Sequence, residues 1–323
     1  RFAATTYEEY LSAFNDLSKK GMKKLILDLR GNPGGFLKAA VDIADEFLMN
    51  GLQIVYTEGR SNPKKIYKTT THGSFENNPL VILIDEGSAS ASEIVAGAVQ
   101  DNDRATIIGR RSFGKGLVQD QQSLPDGSAV RLTVARYYTP TGRCIQKSYE
   151  HGTEEYYQEE VDRYNDGEMI NADSNKLDKT KKFITPGGKI VYGGGGIMPD
   201  IFVALDTAKY SSFVNRLFYT GLITEFGFNY SDKYRKEILK KYNAGNFVTD
   251  FVLSDNAIAE FYALVQKKKI DIPDTEKAKS NANLKQLIKA LVGRNLYDKD
   301  AYYPIINQTD NSLKKAIEVL EKP

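Results

Sequence analysis

Three serines stand at alternate positions in "EGSASASEIV" (Ser88, Ser90 and Ser92), directly after the apolar run "LVILID" and directly before a helix-like stretch. A nucleophile often sits where a strand turns sharply into a helix, and ordinary N-cap serines sit there too. Ser90-Ala-Ser-Glu93 is itself a capping box, so capping alone gives Ser90 a purpose. The same geometry suits catalysis, because a helix N-terminus offers free N–H groups and the positive end of the dipole to a developing oxyanion. Capping does not require small residues at all five positions of "GSASA", whereas a nucleophile turn does.

A serine hydroxyl needs a base, and a lysine serves only when neutral. For a lysine that means a fall of roughly three units from its reference pKa of about 10.4, brought about by burial. Lys115 lies between two glycines in "GRRSFGKG", where the backbone can approach another loop while the side chain points inward. The plainer reading is a surface lysine in a Gly turn. The segment also nearly matches a phosphate-binding loop, but Gly116 lacks the hydroxyl that would bind Mg²⁺, and "LVQDQQ" after it reads as a strand. "GNPGG" is either a tight turn or a pair of oxyanion donors at a strand end, with Gly34 or Gly35 as the donor.

The chain has two histidines, His72 and His151, so a His-rich metal site is impossible and a Ser-His scheme must use one of them. Cys144 is the single cysteine, which excludes an internal disulfide and a cysteine-based zinc site. No cofactor or metal is called for. At 41% hydrophobic and 27% charged residues with a net charge of +2, the chain reads as an ordinary globular protein with no nucleic-acid partner. No apolar run approaches the roughly 18 residues of a membrane helix. The 323 residues begin at Arg1 without Met or a signal-like segment, and read as a piece of a longer protein.

The elements that must position these residues alternate. Thr6 to Lys20 has helical spacing, with Thr6 and Glu9 as a capping box, and "KKLILDLRG" follows as a buried strand. A second helix, the strand "LQIVYTEG", the strand Leu80 to Ile84, the helix Glu93 to Gln100 and the strand "ATIIG" continue the alternation. This predicts an α/β core with mostly parallel pairing. The stretch Leu117 to Tyr138 reads as a β-hairpin around "LPDGS". Residues 147–185 read as a polar insertion or flexible excursion. Beyond Thr207 the spacing is helical, with Tyr210, Phe213, Val214 and Leu217 on one face. The domain reading is a core over 1–206 and a helical region over 207–323. "RGNPGG", "EGSASASE" and "RRSFGKGLVQ" then fall at the carboxyl ends of strands, where α/β proteins build their sites.

Five stretches in order, "LILDLRGNPGG", "VILIDEGSASASEIVAGAVQD", "GRRSFGKGLVQ", "TPTGRCIQ" and "GIMPDI", resemble the core of the carboxyl-terminal processing proteases, also called tail-specific proteases. They span about Leu25 to Ile201. The resemblance implies a crotonase-like α/β core and a serine endopeptidase that cleaves proteins at or near their C-terminal regions through an acyl-enzyme. It implies Ser90 as nucleophile, Lys115 as base, Gln119 as an assisting residue, and oxyanion donors from Ala91 and the Gly34–Gly35 turn. Ser88 and Ser92 then shape and cap the turn.

Family members usually carry a PDZ domain ahead of the core, which this chain lacks, so poor cleavage by this chain alone is expected. The resemblance places the protein in the cell envelope, periplasmic or otherwise extracytoplasmic. The partner expected is a protein or peptide substrate, with a homo-oligomer left open. The helical tail is read as packing against the core or a partner subunit. Two rivals stand beside this reading: a catalytically weak or silent peptide-binding module on the same fold, and a Ser-His hydrolase using His72.

Overall fold

The computed structural model describes residues 1–70, 72–150, 152–174, 178, 180–207 and 211–322. His151 and Tyr210 lie outside the described residues. The chain opens with helix α1 (Thr6–Lys19), strand β1 (Leu25–Asp28) and helix α2 (Leu37–Asp45). Strands β2 (Gln53–Glu58), β3 (Lys65–Lys68) and β4 (Leu80–Ile84) lead to helix α3 (Ala91–Asp101) and strand β5 (Thr106–Gly109). Strands β6 (Leu117–Ser123) and β7 (Ala129–Tyr138) form the hairpin, its turn fixed by the Asp126 carboxylate accepting from the Ser128 N–H and hydroxyl. Helix α4 (Thr153–Asn165) and the short strands β8 (Lys182–Ile184), β9 (Ile190–Tyr192) and β10 (Ile201–Phe202) follow. The remainder is helical: α5 (Ser212–Tyr219), α6 (Leu222–Lys241), α7 (Ala244–Asp250), α8 (Asp255–Lys267), α9 (Asp274–Tyr297), α10 (Lys299–Asn307) and α11 (Asn311–Glu321).

The α/β reading holds. One sheet, ordered β1-β4-β5-β10, is parallel throughout, and a second, β3-β2-β7-β6, is antiparallel. Because β1, β4 and β5 are parallel neighbours, the loops after them emerge side by side. Those loops contain the glycine turn, the serines and the lysine. The run Leu80–Ile84 is buried at every position, as expected of a strand covered on both faces. Leu80, Ile82 and Ile84 join the main core with α2, α3 and β2, while Val81 and Leu83 join a second cluster with Ile108 and Ala316.

Ala316 belongs to α11, and this corrects the domain reading. Residues 1–204 and 312–323 form one compact unit, and 205–311 form the other. The helical region therefore does not run unbroken to the end of the chain, because the last helix covers the second face of the parallel sheet. An amphipathic spacing in α11 shows that it needs an apolar partner but cannot say which one. The unit of 205–311 has its own core around Phe226, Phe247, Phe261, Leu284 and Ile288.

Two smaller expectations also change. The N-cap of α1 is Thr5, whose hydroxyl donates to Glu9 Oε1 at 2.7 Å, whereas the Thr6 hydroxyl accepts from the Ala3 N–H. Residues 147–185 are not a loose excursion among their described members. They contain α4, the β8–β9 hairpin and a buried charge network.

Ala316 is fully buried and Lys314 is exposed on the same helix. Ala316→Asp buries an unpaired carboxylate against the sheet, at a cost of about 3 kcal/mol or more. The thermal midpoint of that unit should fall by roughly 10 °C, and Lys314→Asp should leave it unchanged, as read by differential scanning calorimetry.

Candidate active site

The three serines separate by what their hydroxyls do. Ser88 is fully buried; its hydroxyl donates to the Leu29 carbonyl at 2.8 Å and accepts from the Asp85 N–H. The Ser92 hydroxyl donates to the Asn32 carbonyl at 2.8 Å. Both therefore stitch the serine loop to the loop after β1. The Ser90 hydroxyl faces the Glu93 N–H in capping-box fashion without closing a hydrogen bond on it, and that N–H instead donates to the Ser90 carbonyl. Ser90 sits at φ +55°, ψ −112°, a strained conformation for a residue with a Cβ.

What holds this turn is Glu93, fully buried at the start of α3. Its Oε2 accepts from the Ser90 N–H at 2.8 Å and from the Lys115 N–H at 2.9 Å. Its Oε1 accepts from the Gly114 N–H and the Ser112 hydroxyl. One carboxylate oxygen thus joins the backbone of the serine turn to that of the lysine turn. Burial pushes the Glu93 carboxyl above its ordinary range, against these four donors, which favour the ionised form. On the other side the buried Tyr137 hydroxyl reaches the carbonyls of both Ser90 and Lys115. A third tie is Phe113 N–H to the Ser88 carbonyl, and a fourth is the Arg110–Glu86 fork at 2.7 and 3.0 Å. The sequence pointed to Glu93 only as a capping residue; its second partner lies 22 positions away and left no local trace.

The glycine turn meets the same spot. A Cβ on Gly34 would come within 2.7 Å of the Ala89 carbonyl, the Ala91 nitrogen and Ser90 Cβ, so only glycine allows the approach. The Gly34 N–H donates to Asn32 Oδ1, whereas the Gly35 and Ala91 N–H groups meet no acceptor among the described residues. Phe2 pairs with the turn in β fashion, its N–H to the Gly34 carbonyl and its carbonyl from the Phe36 N–H.

Lys115 is half-buried, and among the described residues its ammonium meets no carboxylate. Gln119 is exposed on the edge strand β6, and no hydrogen bond joins it to Lys115. His72 is exposed, its imidazole nearest the Glu76 carboxylate at 3.6 Å, two residues after Thr70, which is tied to Asp45 at the end of α2. After the lysine comes β6 and not a helix, which removes the phosphate-loop reading. Among the described residues no cluster of His, Cys, Asp and Glu could hold a metal ion, and no helix is long and apolar enough to cross a membrane.

The other two stretches of the pattern clamp α3. Asp101 pairs with the fully buried Arg143 at 2.7 Å and accepts from the Thr141 hydroxyl. Gln100 donates to the Met198 carbonyl and to Asp200, whose other oxygen accepts from the Ile107 N–H.

The α/β unit thus brings three adjacent parallel-strand loops together, one carrying the glycine turn, one a strained serine and one a lysine. Residues 1–155 match the model of peptidase family S41. Residues 213–298 match a family of unknown function, DUF8443. The carboxyl-terminal-processing protease of Synechocystis is 45% identical over 147 residues, 46% of this chain and 34% of that protein. A carboxy-terminal processing protease of Bacillus subtilis is 40% identical over 146 residues, 45% of this chain and 31% of that protein. The chain thus spans about a third of the length of these relatives. The solved photosystem II D1 C-terminal processing protease is 30% identical with a TM-score of 0.45, over 64% of this chain and 41% of that one.

Glu93→Gln puts an amide N–H₂ against N–H donors and removes the charge that four groups share. A loss of roughly 3 kcal/mol is expected, with a thermal midpoint 5–10 °C lower. Amide hydrogen exchange at Gly114 and Lys115 should quicken more than at β4.

A second expectation follows from Glu86. Burial alone would raise its carboxyl, but the hydrogen bond and charge of Arg110 hold it below its ordinary value of 4.5. A depressed folded value means that the pair's stabilisation is complete above 4.5 and is lost as pH falls through the lower folded value. The stability advantage of the native chain over Glu86→Gln, measured by urea titration, should be full at pH 6 and shrink steadily below about pH 4.5.

Proposed function

We propose that this chain is the peptidase core of a serine endopeptidase that cleaves proteins at or near their C-terminal regions. The observation that carries the reading is the shared Glu93 oxygen. It fixes the backbone of the one serine whose hydroxyl is not spent on a neighbouring loop against the backbone of Lys115. The substrate class rests on the names of the relatives in Synechocystis and Bacillus subtilis.

In this reading the Ser90 hydroxyl oxygen attacks the scissile carbonyl carbon, and its proton passes to the neutral Lys115 amine. The carbonyl oxygen, now an alkoxide, takes hydrogen bonds from the Ala91 and Gly35 N–H groups. The Gly34 N–H is already engaged by Asn32 and holds the turn. Collapse breaks the C–N bond, and the departing amine takes the proton from Lys115. Water, giving its proton to the Lys115 amine, then attacks the ester carbonyl, and the C–O bond to Ser90 breaks as that proton passes to the Ser90 oxygen, which restores the hydroxyl and the free amine. Gln119, four residues after Lys115 and on β6, is assigned to steady the Lys115 amine when a substrate covers both. No metal or cofactor enters any step.

The silent-module reading is not favoured, since nothing in the chain breaks the nucleophile and lysine turns. The Ser-His reading is less well supported, since the only side chain that His72 meets among the described residues is Glu76. A cell-envelope location, an upstream PDZ domain and a homo-oligomer belong to the proposal for the whole protein, as does weak cleavage by this chain alone.

Ser90→Ala and Lys115→Ala should each lower cleavage of an unfolded protein by at least a thousandfold in the complete protein while both stay folded. The double variant should be no worse than either, because the two act as a unit. Wild-type activity in Lys115→Ala, or its loss in His72→Ala, would overturn the assignment.

A further inference from the structure

Helix α4 lies in the segment between "GRCIQ" and "GIMPDI" that is outside the pattern carrying the resemblance. Most of its side chains are exposed, but Arg163 is buried. The Arg163 guanidinium donates to the Arg111 carbonyl at 2.7 Å, to the Ser112 carbonyl at 3.2 Å and to Glu168 Oε1 at 2.8 Å. Arg111 in turn grips Glu168 with two bonds of 2.7 and 2.9 Å. Burial, and then the neighbouring Arg111 charge, make the Arg163 cation harder to hold. Arg111, Arg163 and Lys147 share the two carboxylates Glu168 and Glu159, and such a buried network is weak evidence for stability by itself.

Its placement gives it another use. Residues 111–116 have no regular secondary structure, so their buried carbonyls need donors from other segments. Arg163 supplies them at the two residues directly before "FGKG". Ser112 is also the residue whose hydroxyl donates to Glu93. From the same side, the Lys147 N–H donates to the Gly114 carbonyl, and its ammonium lies 4.1 Å from the centre of the Phe113 ring. The lysine turn is therefore gripped from inside by Glu93 and from outside by the inserted segment.

We propose that Arg163 is a positioning residue for proton transfer. By forking onto the Arg111 and Ser112 carbonyls, the inserted helix sets the register of the Lys115 turn against Ser90. The inference rests on the Ser90–Lys115 reading above. A displacement of about 1 Å between reacting groups is enough to cost a hundredfold in rate, so a loosened turn should be visible in catalysis before it is visible in the fold.

The test compares Arg163→Lys, Arg163→Gln and the exposed-face control Glu160→Ala in the complete protein. Arg163→Lys keeps a cation for Glu168 but cannot fork onto both carbonyls. Each variant is measured for thermal midpoint, for kcat and KM on an unfolded protein substrate, and for amide exchange. For Arg163→Lys a fall in kcat of about tenfold or more is expected, with KM within about twofold and the fold retained. Exchange at Gly114 and Lys115 should quicken, and Glu160→Ala should match the wild type. Folded Arg163 variants with wild-type kcat, beside an inactive Lys115→Ala, would overturn the inference and leave the Ser90–Lys115 reading standing. Loss of the folded state in both Arg163 variants would also overturn it, since Arg163 would then be a general support. An active Lys115→Ala would instead remove the reading on which it rests.

Discussion

One oxygen atom, Glu93 Oε2, receives the amide protons of both Ser90 and Lys115. A buried carboxylate is expensive unless its lone pairs are met, and here the donors that meet them come from two loops separated by a strand and a helix. Satisfying the charge and aligning the loops are thus the same event. The buried carboxyl is satisfied only when both turns are in place, and among the described residues it is the acceptor for the Ser90, Gly114 and Lys115 amide protons. Tyr137 repeats the arrangement in the opposite polarity, with one hydroxyl facing two carbonyls.

That junction depends on strand order. In a parallel sheet the carboxyl ends of neighbouring strands lie together, so β1, β4 and β5 deliver three loops to one edge without any long connection. The serines then divide the labour. Ser88 and Ser92 bind carbonyls of the first loop, and Ser90, held at positive φ between them, is left with its hydroxyl unspent. Glycine at 34 is required because the first loop presses its backbone onto that same turn. The sheet buries both faces of β4, and the chain closes the second face with its own last helix.

The match to peptidase family S41 ends at residue 155, and the segments around and beyond that point differ in what they do. Thr141 and Arg143 of "TPTGR" and Met198 and Asp200 of "GIMPD" hold the last turn of a helix whose every residue is buried. The inserted segment reaches the outer side of the lysine turn. The helices of 205–311 have a separate aromatic core and a match of their own, to a family of unknown function.

Local chemistry in the sequence determined a good deal. The run "LVILI" is too apolar for any exposed strand, the turn residues of "LPDGS" admit a hairpin, and small residues around Ser90 mark a crowded strand-to-helix turn. These signals act over a few residues, so one chain in isolation displays them. What the tertiary structure decided are contacts between distant positions. It showed which of Gly34 and Gly35 keeps its N–H free, that Glu93 reaches the lysine turn, and that α11 returns to the sheet across more than two hundred residues. It also showed that a polar stretch with little apolar periodicity is ordered by buried charges. Periodicity reports only that a face must be covered, and a charge reports only that it needs a partner. Which group satisfies either is settled by packing, and packing is not written in the spacing of any one segment.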